Sequence, residues 1–347
     1  PGVTRVNYNG EYTMRLVPSY SEFNIMNSQE QMSVYEEMYQ KGWLNFTSSV
    51  YSSSAGVYRK MAQLMNTYDP ATGKYMIENT EEGRKAYLRE AEMRNTDWFK
   101  ELFRPSVQHS HSVSITSGSE KGSYYASLGA LVDPGWTVQS KVNRYTALFN
   151  TSQKLFKDYV TLNIIGNASY RQQRAPGSLS SDVNAATGSV KRDFDINPYS
   201  YALRTSRTLD PNEFYTSNYA PFNIKHELAN NYIDLSVLDT KFQAELKARP
   251  CKGLELSALG SVRYQLSNTE HNIKDSSNQA EAYRAAMTKM IQNANPFLYK
   301  DPDKPTSDKY TVLPQGGILR KNSYSALSLD FRASATYNTI IADKHVI

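Results

Sequence analysis

The chain has 347 residues, a formal net charge of +5 and 21% charged residues, with a mean hydropathy of −0.60. No apolar run approaches the ~18 residues of a membrane-crossing helix, so a helical membrane protein is excluded; the Lys and Arg residues are scattered, so a nucleic-acid-binding stripe is not supported. A single cysteine, Cys251, excludes an internal disulfide and a Cys-based zinc cluster.

Period-2 alternation begins at once. Thr4–Leu16 sets Val6, Tyr8, Tyr12 and Met14 against Arg5, Asn7, Asn9 and Glu11. Such alternation is the mark of a strand with one apolar and one polar face. It returns in Val107–Ser117, Ser123–Val132 and, more weakly, Asn143–Leu155. Tyr159–Arg171 is the longest clean case, with Val160, Leu162, Ile164, Ala168 and Tyr170 opposite Thr161, Asn163, Asn167, Ser169 and Arg171. Leu238–Arg249, Leu254–Leu266 and Tyr324–Tyr337 complete the set. Several are about twice the ~5–6 residues usual for a globular strand.

The connections alternate too. Short turns are expected at Gly118–Gly122, Phe156–Asp158, Pro250–Gly253 and Asn338–Lys344. Long connections are expected over residues 17–106, from Asp133-Pro134-Gly135-Trp136 onward, and over 172–232 and 267–323. Strict alternation puts all short turns at one end of the sheet and all long loops at the other, the signature of an outer-membrane barrel. The lumen of such a barrel is wet and its outside is oily, which accounts for the amphipathic strands. Small residues on the oily side, such as Gly166, Ala168, Gly260 and Ala333, are tolerated because ladder hydrogen bonds satisfy the backbone. Tyrosine, at 26 residues, suits a membrane–water interface, with its apolar ring and polar tip.

Within the first long loop, Asn27-Ser28-Gln29-Glu30 has capping chemistry for a helix carrying Met32, Tyr35, Met38 and Tyr39. A second helix is expected over Thr80–Asn95 and a further turn in Thr96–Phe103. Both chain ends read as cuts in a longer protein, so a targeting signal need not fall within this stretch.

Several patterns point to sites. His109 and His111 share a strand face and are either a metal pair or wall histidines; Val113 and Ile115 on that face favour the wall. The stretch around Gly118 lacks phosphate-loop spacing and reads as a hairpin. The sequons at Asn45, Asn150 and Asn167 read as chance, two of them inside strands. No nucleophile–base pair or organised carboxylate pair is present, so no catalytic residue or cofactor site is assigned and an enzyme is the weakest reading. Loop aromatics are the best substrate-contact candidates, since sugar rings and peptides pack on aromatic faces: Trp136, Tyr199, Tyr201, Tyr215, Tyr219 and Phe222. Their competing role is to pack the loops together. Arg171, Arg174, Lys241, Arg263 and Arg332 are expected to line the lumen.

The run Thr96–Phe103 leading into His111–Gly135, followed by Asn143–Tyr170, resembles the SusC/RagA family of TonB-dependent outer-membrane transporters. Asn197–Tyr215 and the terminal Ala342–Ile347 are similar to the same family. The resemblance implies an all-β fold, about eight strands of a 22-stranded transmembrane barrel with long, partly helical extracellular loops. It places residues 1–347 in the first part of that barrel, without the plug domain, and makes solvating the wall and pairing with plug carboxylates the default role of Arg171, Arg174, Lys241, Arg263 and Arg332. It implies TonB-dependent uptake of oligosaccharides or oligopeptides across the outer membrane of a Gram-negative bacterium. The implied partners are a SusD-like surface lipoprotein lid, TonB acting through the plug, and membrane lipid, with no nucleic acid. The alternative is a surface glycan- or peptide-binding β-protein without transport.

Overall fold

The computed structural model describes residues 3–44, 52–156, 158–177, 182–183, 190–191, 196–338, 340–341 and 345–346. The sequon at Asn45, Lys157 of one turn and most of Ala342–Ile347 lie outside them. Eight strands form one sheet: β1 (Arg5–Arg15), β2 (Ser106–Ser119), β3 (Gly122–Asp133), β4 (Lys141–Leu155), β5 (Val160–Pro176), β6 (Asn231–Cys251), β7 (Leu254–Ile273) and β8 (Ile318–Tyr337). Each is antiparallel to its neighbour and the spatial order is the chain order.

Register turns eight separate alternations into two continuous faces. One cross-strand row runs Tyr8, Val113, Leu128, Ala147, Ala168, Thr240, Tyr264, Leu327. The adjacent row, on the opposite face, runs Asn7, Ser114, Ser127, Leu148, Asn167, Lys241, Arg263, Ser328. A slip of one residue at any pairing would mix the faces; none occurs along these rows.

Among the described residues, nothing covers the apolar face. Leu128 on the interior strand β3 is 68% exposed and Phe242 on β6 is 51% exposed. Among the described residues, Ile273 at the end of β7 is the single buried apolar side chain that the sheet contributes. A sandwich would bury this face against a second layer. The band has a membrane's height: Val160 to Tyr170 is ten residue steps, about 33 Å along the strand, or about 25 Å along the normal at a barrel strand's tilt.

At the loop end the outer face changes character along the register. Below lie Tyr145, Tyr170, Leu238 and Leu266. The next outward row is Asn143, Gln172, Ser236, Asn268 and Ser323, and the one beyond is Lys141, Arg174, Asp234, Glu270 and Lys321. The strands therefore project past the apolar band, which shortens the loops expected from residues 172 and 267. Arg174 is a correction: it faces outward, not into the lumen. Period 2 places it with Tyr170, and its guanidinium makes two 2.7 Å bonds to the Asp234 carboxylate above the band.

The core lies in the loops. The first carries α1 (Ser28–Gln40), α2 (Val57–Met65), α3 (Glu81–Arg94) and α4 (Trp98–Leu102). Helix α1 has a complete capping box between Asn27 and Glu30, and α3 is capped by Thr80 and ends on left-handed Asn95. The third long loop adds α5 (Pro198–Arg204) and α6 (Ile224–Asn230), and the fourth α7 (Asn278–Ala282) and α8 (Lys289–Ala294). Trp98, Phe99, Leu102, Phe103, Ile196, Ala202, Ile224 and Leu228 make the main buried cluster. Loops far apart in sequence thus fold as one body above the strand ends.

Candidate functional site

Two regions have the makings of a ligand path: the polar face of the sheet and the loop body above it.

The polar face is organised by ion pairs and amide bonds. Asn163 Nδ2 donates to Glu245 Oε2 at 3.0 Å across β5 and β6. Arg263 Nε donates to Asp239 Oδ1 at 2.9 Å, and Gln265 shares that carboxylate. Arg249 holds Glu255, Arg332 lies by Asp330, and Arg15 reaches Asp133 at 2.8 Å. Lys241, Arg263, Arg332 and Arg171 all sit on this face, as expected from their spacing. Solvent exposure limits such pairs to about 1 kcal/mol or less each, so their role is to keep a wet wall soluble and shaped.

The six loop aromatics divide. Trp136 and Tyr199 pack with Phe103: Trp136 edge-on at 4.8 Å between ring centroids and Tyr199 T-shaped at 6.0 Å. The Trp136 indole donates to the Leu16 carbonyl at 2.8 Å. Tyr201 stands edge-on to Trp98 at 5.2 Å and close to Phe222 at 6.0 Å. Burial raises the Tyr201 hydroxyl pKa far above its ordinary value. The Tyr215 hydroxyl accepts from the Asp210 amide at 2.8 Å, and burial raises its pKa as well. Tyr219 sits in a two-residue hairpin turn with Asn218, both at positive φ (64° and 51°), between Tyr215–Ser217 and Ala220–Phe222. That is the left-handed pair of a type I′ turn, and it is unusual for a residue as bulky as tyrosine.

Tyr201, Tyr215 and Phe222 meet at a cavity of about 660 Å³ whose wall also includes Tyr35, Leu44 and Arg59. A pocket of this size with an apolar lining and a few polar groups is in the range used for small ligands. Trp136, Tyr199 and Tyr219 are not on its wall.

His111 accepts or donates through Nδ1 with the Tyr8 hydroxyl at 2.6 Å, and its ring centroid lies 5.2 Å from that of His109. With Tyr12 they form an aromatic patch on the outward face. Among the described residues no three His, Cys, Asp or Glu side chains converge as a metal site.

A polar lock that the sequence did not suggest ties two loops to the strand tops. Glu227 on α6 is 1% exposed. It accepts from Asn231 Nδ2 at 2.9 Å and from the Asn278 amide at 2.6 Å. Asn231 also donates to Gln279 at 3.0 Å and bonds His271 Nε2 at 2.6 Å. Burial raises the Glu227 carboxyl pKa despite these donors. Glu227 reads in sequence as an ordinary acidic residue of a short helix.

No family model matches the chain. Among curated proteins it is 39% identical over 70 residues to the TonB-dependent receptor SusC of Bacteroides thetaiotaomicron, a stretch of 20% of this chain and 7% of that protein. The solved RagAB peptide importer superposes in its closed-closed state with a TM-score of 0.59 at 17% identity, and in its open-open state with 0.60 at 17%. Each match covers 99% of this chain and 33% of the other. The chain is SusC/RagA-like. At this identity the superposition establishes fold alone: the antiparallel sheet is a partial barrel-like wall that superposes on RagAB. The chain spans about a third of the length of those solved chains.

Proposed function

We propose that residues 1–347 form the first part of the barrel of a TonB-dependent importer in the outer membrane of a Gram-negative bacterium, taking up oligosaccharides or oligopeptides. The observation that carries this is the register. Every strand presents its apolar set to one uncovered face of membrane height and its polar set to the other. β1 and β8 each keep an unpaired edge in this sheet; hydrocarbon does not tolerate open edges, so further strands complete the wall. A plug domain elsewhere in the protein fills the lumen and couples it to TonB, and a SusD-like lipoprotein closes over the loop body. The likeness to SusC and to RagAB supports this reading. For ligand contact, Tyr201, Tyr215 and Phe222 are the favoured side chains because they share one cavity. Trp136, Tyr199 and Tyr219 are kept as contacts made once a ligand spans the loop body.

Nitroxide labels at Leu162 and Asn163 in the full-length protein in lipid test the barrel. Oxygen should relax the first more strongly and a water-soluble nickel reagent the second; equal behaviour at both sites overturns the reading. Energised uptake of labelled glycans and peptides by cells, abolished by deleting the gene or by collapsing the proton gradient, tests transport. Uptake indifferent to both would defeat it.

A further inference from the structure

On the inner face, every carboxylate of the strands except Glu11 is held by a cation of the same face: Asp133 by Arg15, Asp239 by Arg263, Glu245 by Lys247, Glu255 by Arg249 and Asp330 by Arg332. Arg144 and Arg171 are not part of this pairing. They stand directly opposite each other on β4 and β5, and neither has a carboxylate within ion-pair distance among the described residues. Arg171 Nε is shut off from solvent with no hydrogen-bond partner. The next residues along the row are Leu131 on one side and Val237 on the other, which offer nothing to a guanidinium.

Like charges directly across a ladder cost stability. Arginine cannot relieve this by losing its proton. Two facing guanidiniums are, in contrast, well suited to grip a carboxylate through their terminal N–H groups. Their height matters as much as their charge. They lie next to Tyr145 and Tyr170, which close the outer apolar band at the loop end. The pair therefore lies on the inner face at the height where the apolar band ends, below the stretch in which the strands project past it.

We propose that Arg144 and Arg171 form an anion-recognition point that takes a carboxylate of the imported oligomer, making acidic oligomers the preferred substrate class. This rests on the importer reading above. The ligand carboxylate neutralises the facing charges, and its arrival is favoured by the positive potential of the unpaired wall.

The test uses the full-length protein with its membrane partners, titrated with an oligogalacturonate, an oligoglutamate peptide, and their neutral counterparts, an oligogalactose and an oligoglutamine peptide. Wild type should bind at least one acidic oligomer more tightly than its neutral counterpart, and which of the two separates a uronate from a peptide source. Arg144→Gln and Arg171→Gln should each weaken that binding tenfold or more and leave neutral oligomers within twofold. Arg171→Lys, which keeps charge but loses the paired N–H geometry, should fall between; thermal unfolding at the wild-type temperature shows that the variants are folded. Equal affinity of wild type for acidic and neutral oligomers overturns the proposal. So does a uniform loss across all four ligands, which would make the arginines part of the barrel's own filling. Energised uptake without acidic preference would defeat this proposal alone. Arginine-dependent binding with no uptake would defeat the transport reading alone.

Discussion

The indole Nε1–H of Trp136 donates to the carbonyl of Leu16 at 2.8 Å, joining the turn after β3 to the chain leaving β1. Trp136 sits beside Gly135, whose φ is +87°, so the turn that presents the indole depends on a left-handed glycine. Trp136→Phe keeps a ring against Phe103 and removes one hydrogen bond. It should cost about 1 kcal/mol, and Trp136→Ala more than that but less than the ~3–5 kcal/mol of truncating a fully buried tryptophan, since the indole is half-buried, read from denaturant unfolding in micelles. If Trp136→Phe abolishes ligand binding while leaving stability within that range, the side chain is a ligand contact as well as a strut.

Two glycines separate backbone need from simple tolerance. A Cβ at Gly135 would lie 2.0 Å from the Ser140 carbonyl oxygen, whereas a Cβ at Gly166 meets nothing within 4 Å. Gly166 is flanked in register by Phe149 and Phe242 on the outer face. Gly135→Ala should lower the unfolding midpoint clearly, while Gly166→Ala should leave it unchanged or slightly raised. A reversal of that order would contradict the turn geometry.

The two faces of β5 make a sharper contrast. Leu162→Arg places a guanidinium on the outer face within the apolar band and should cost about 2–4 kcal/mol of stability in lipid if near the mid-plane, less toward the edge. Asn163→Arg, one residue on, faces the wet side and neighbours Glu245; it should change stability by less than about 1 kcal/mol. Equal penalties in vesicle-based unfolding would show that lipid does not touch one side alone.

Glu227 couples the loop body to pH. Its carboxyl pKa is raised above the ordinary 4.5 by burial, so the folded state binds the proton more tightly than the unfolded chain. Its contribution is full below that ordinary value and is lost as pH rises through the raised one. Glu227→Gln removes this slope but points an amide at the Asn231 donor, costing about 1–3 kcal/mol. Unfolding midpoints of wild type and variant should converge as pH rises from about 4.5; parallel curves would contradict the assignment.

Much of this architecture is written in short-range pattern. Alternation such as Val160 to Arg171 specifies a strand and its two faces, because side chains on a pleated ribbon point to opposite sides at every step. Asn27 with Glu30, and Thr80 with Asn95, mark helix ends by local hydrogen bonding alone. The helices at Pro198, Ile224, Asn278 and Lys289 were legible in principle, since Asn197, Asn223, Ser277 and Thr288 each cap them. They are short enough that hydrophobic periodicity never accumulates. What alternation could not convey is where the oily band stops: Arg174 shares parity with Tyr170, and whether it lies in lipid, lumen or headgroup water depends on the height of its neighbours. Nor could it convey which residues face each other across strands. The opposition of Arg144 and Arg171, the bonding of Glu227 to Asn278 51 residues away, and the gathering of Tyr201, Tyr215 and Phe222 on one cavity are products of long-range pairing, whose energetics no local window contains.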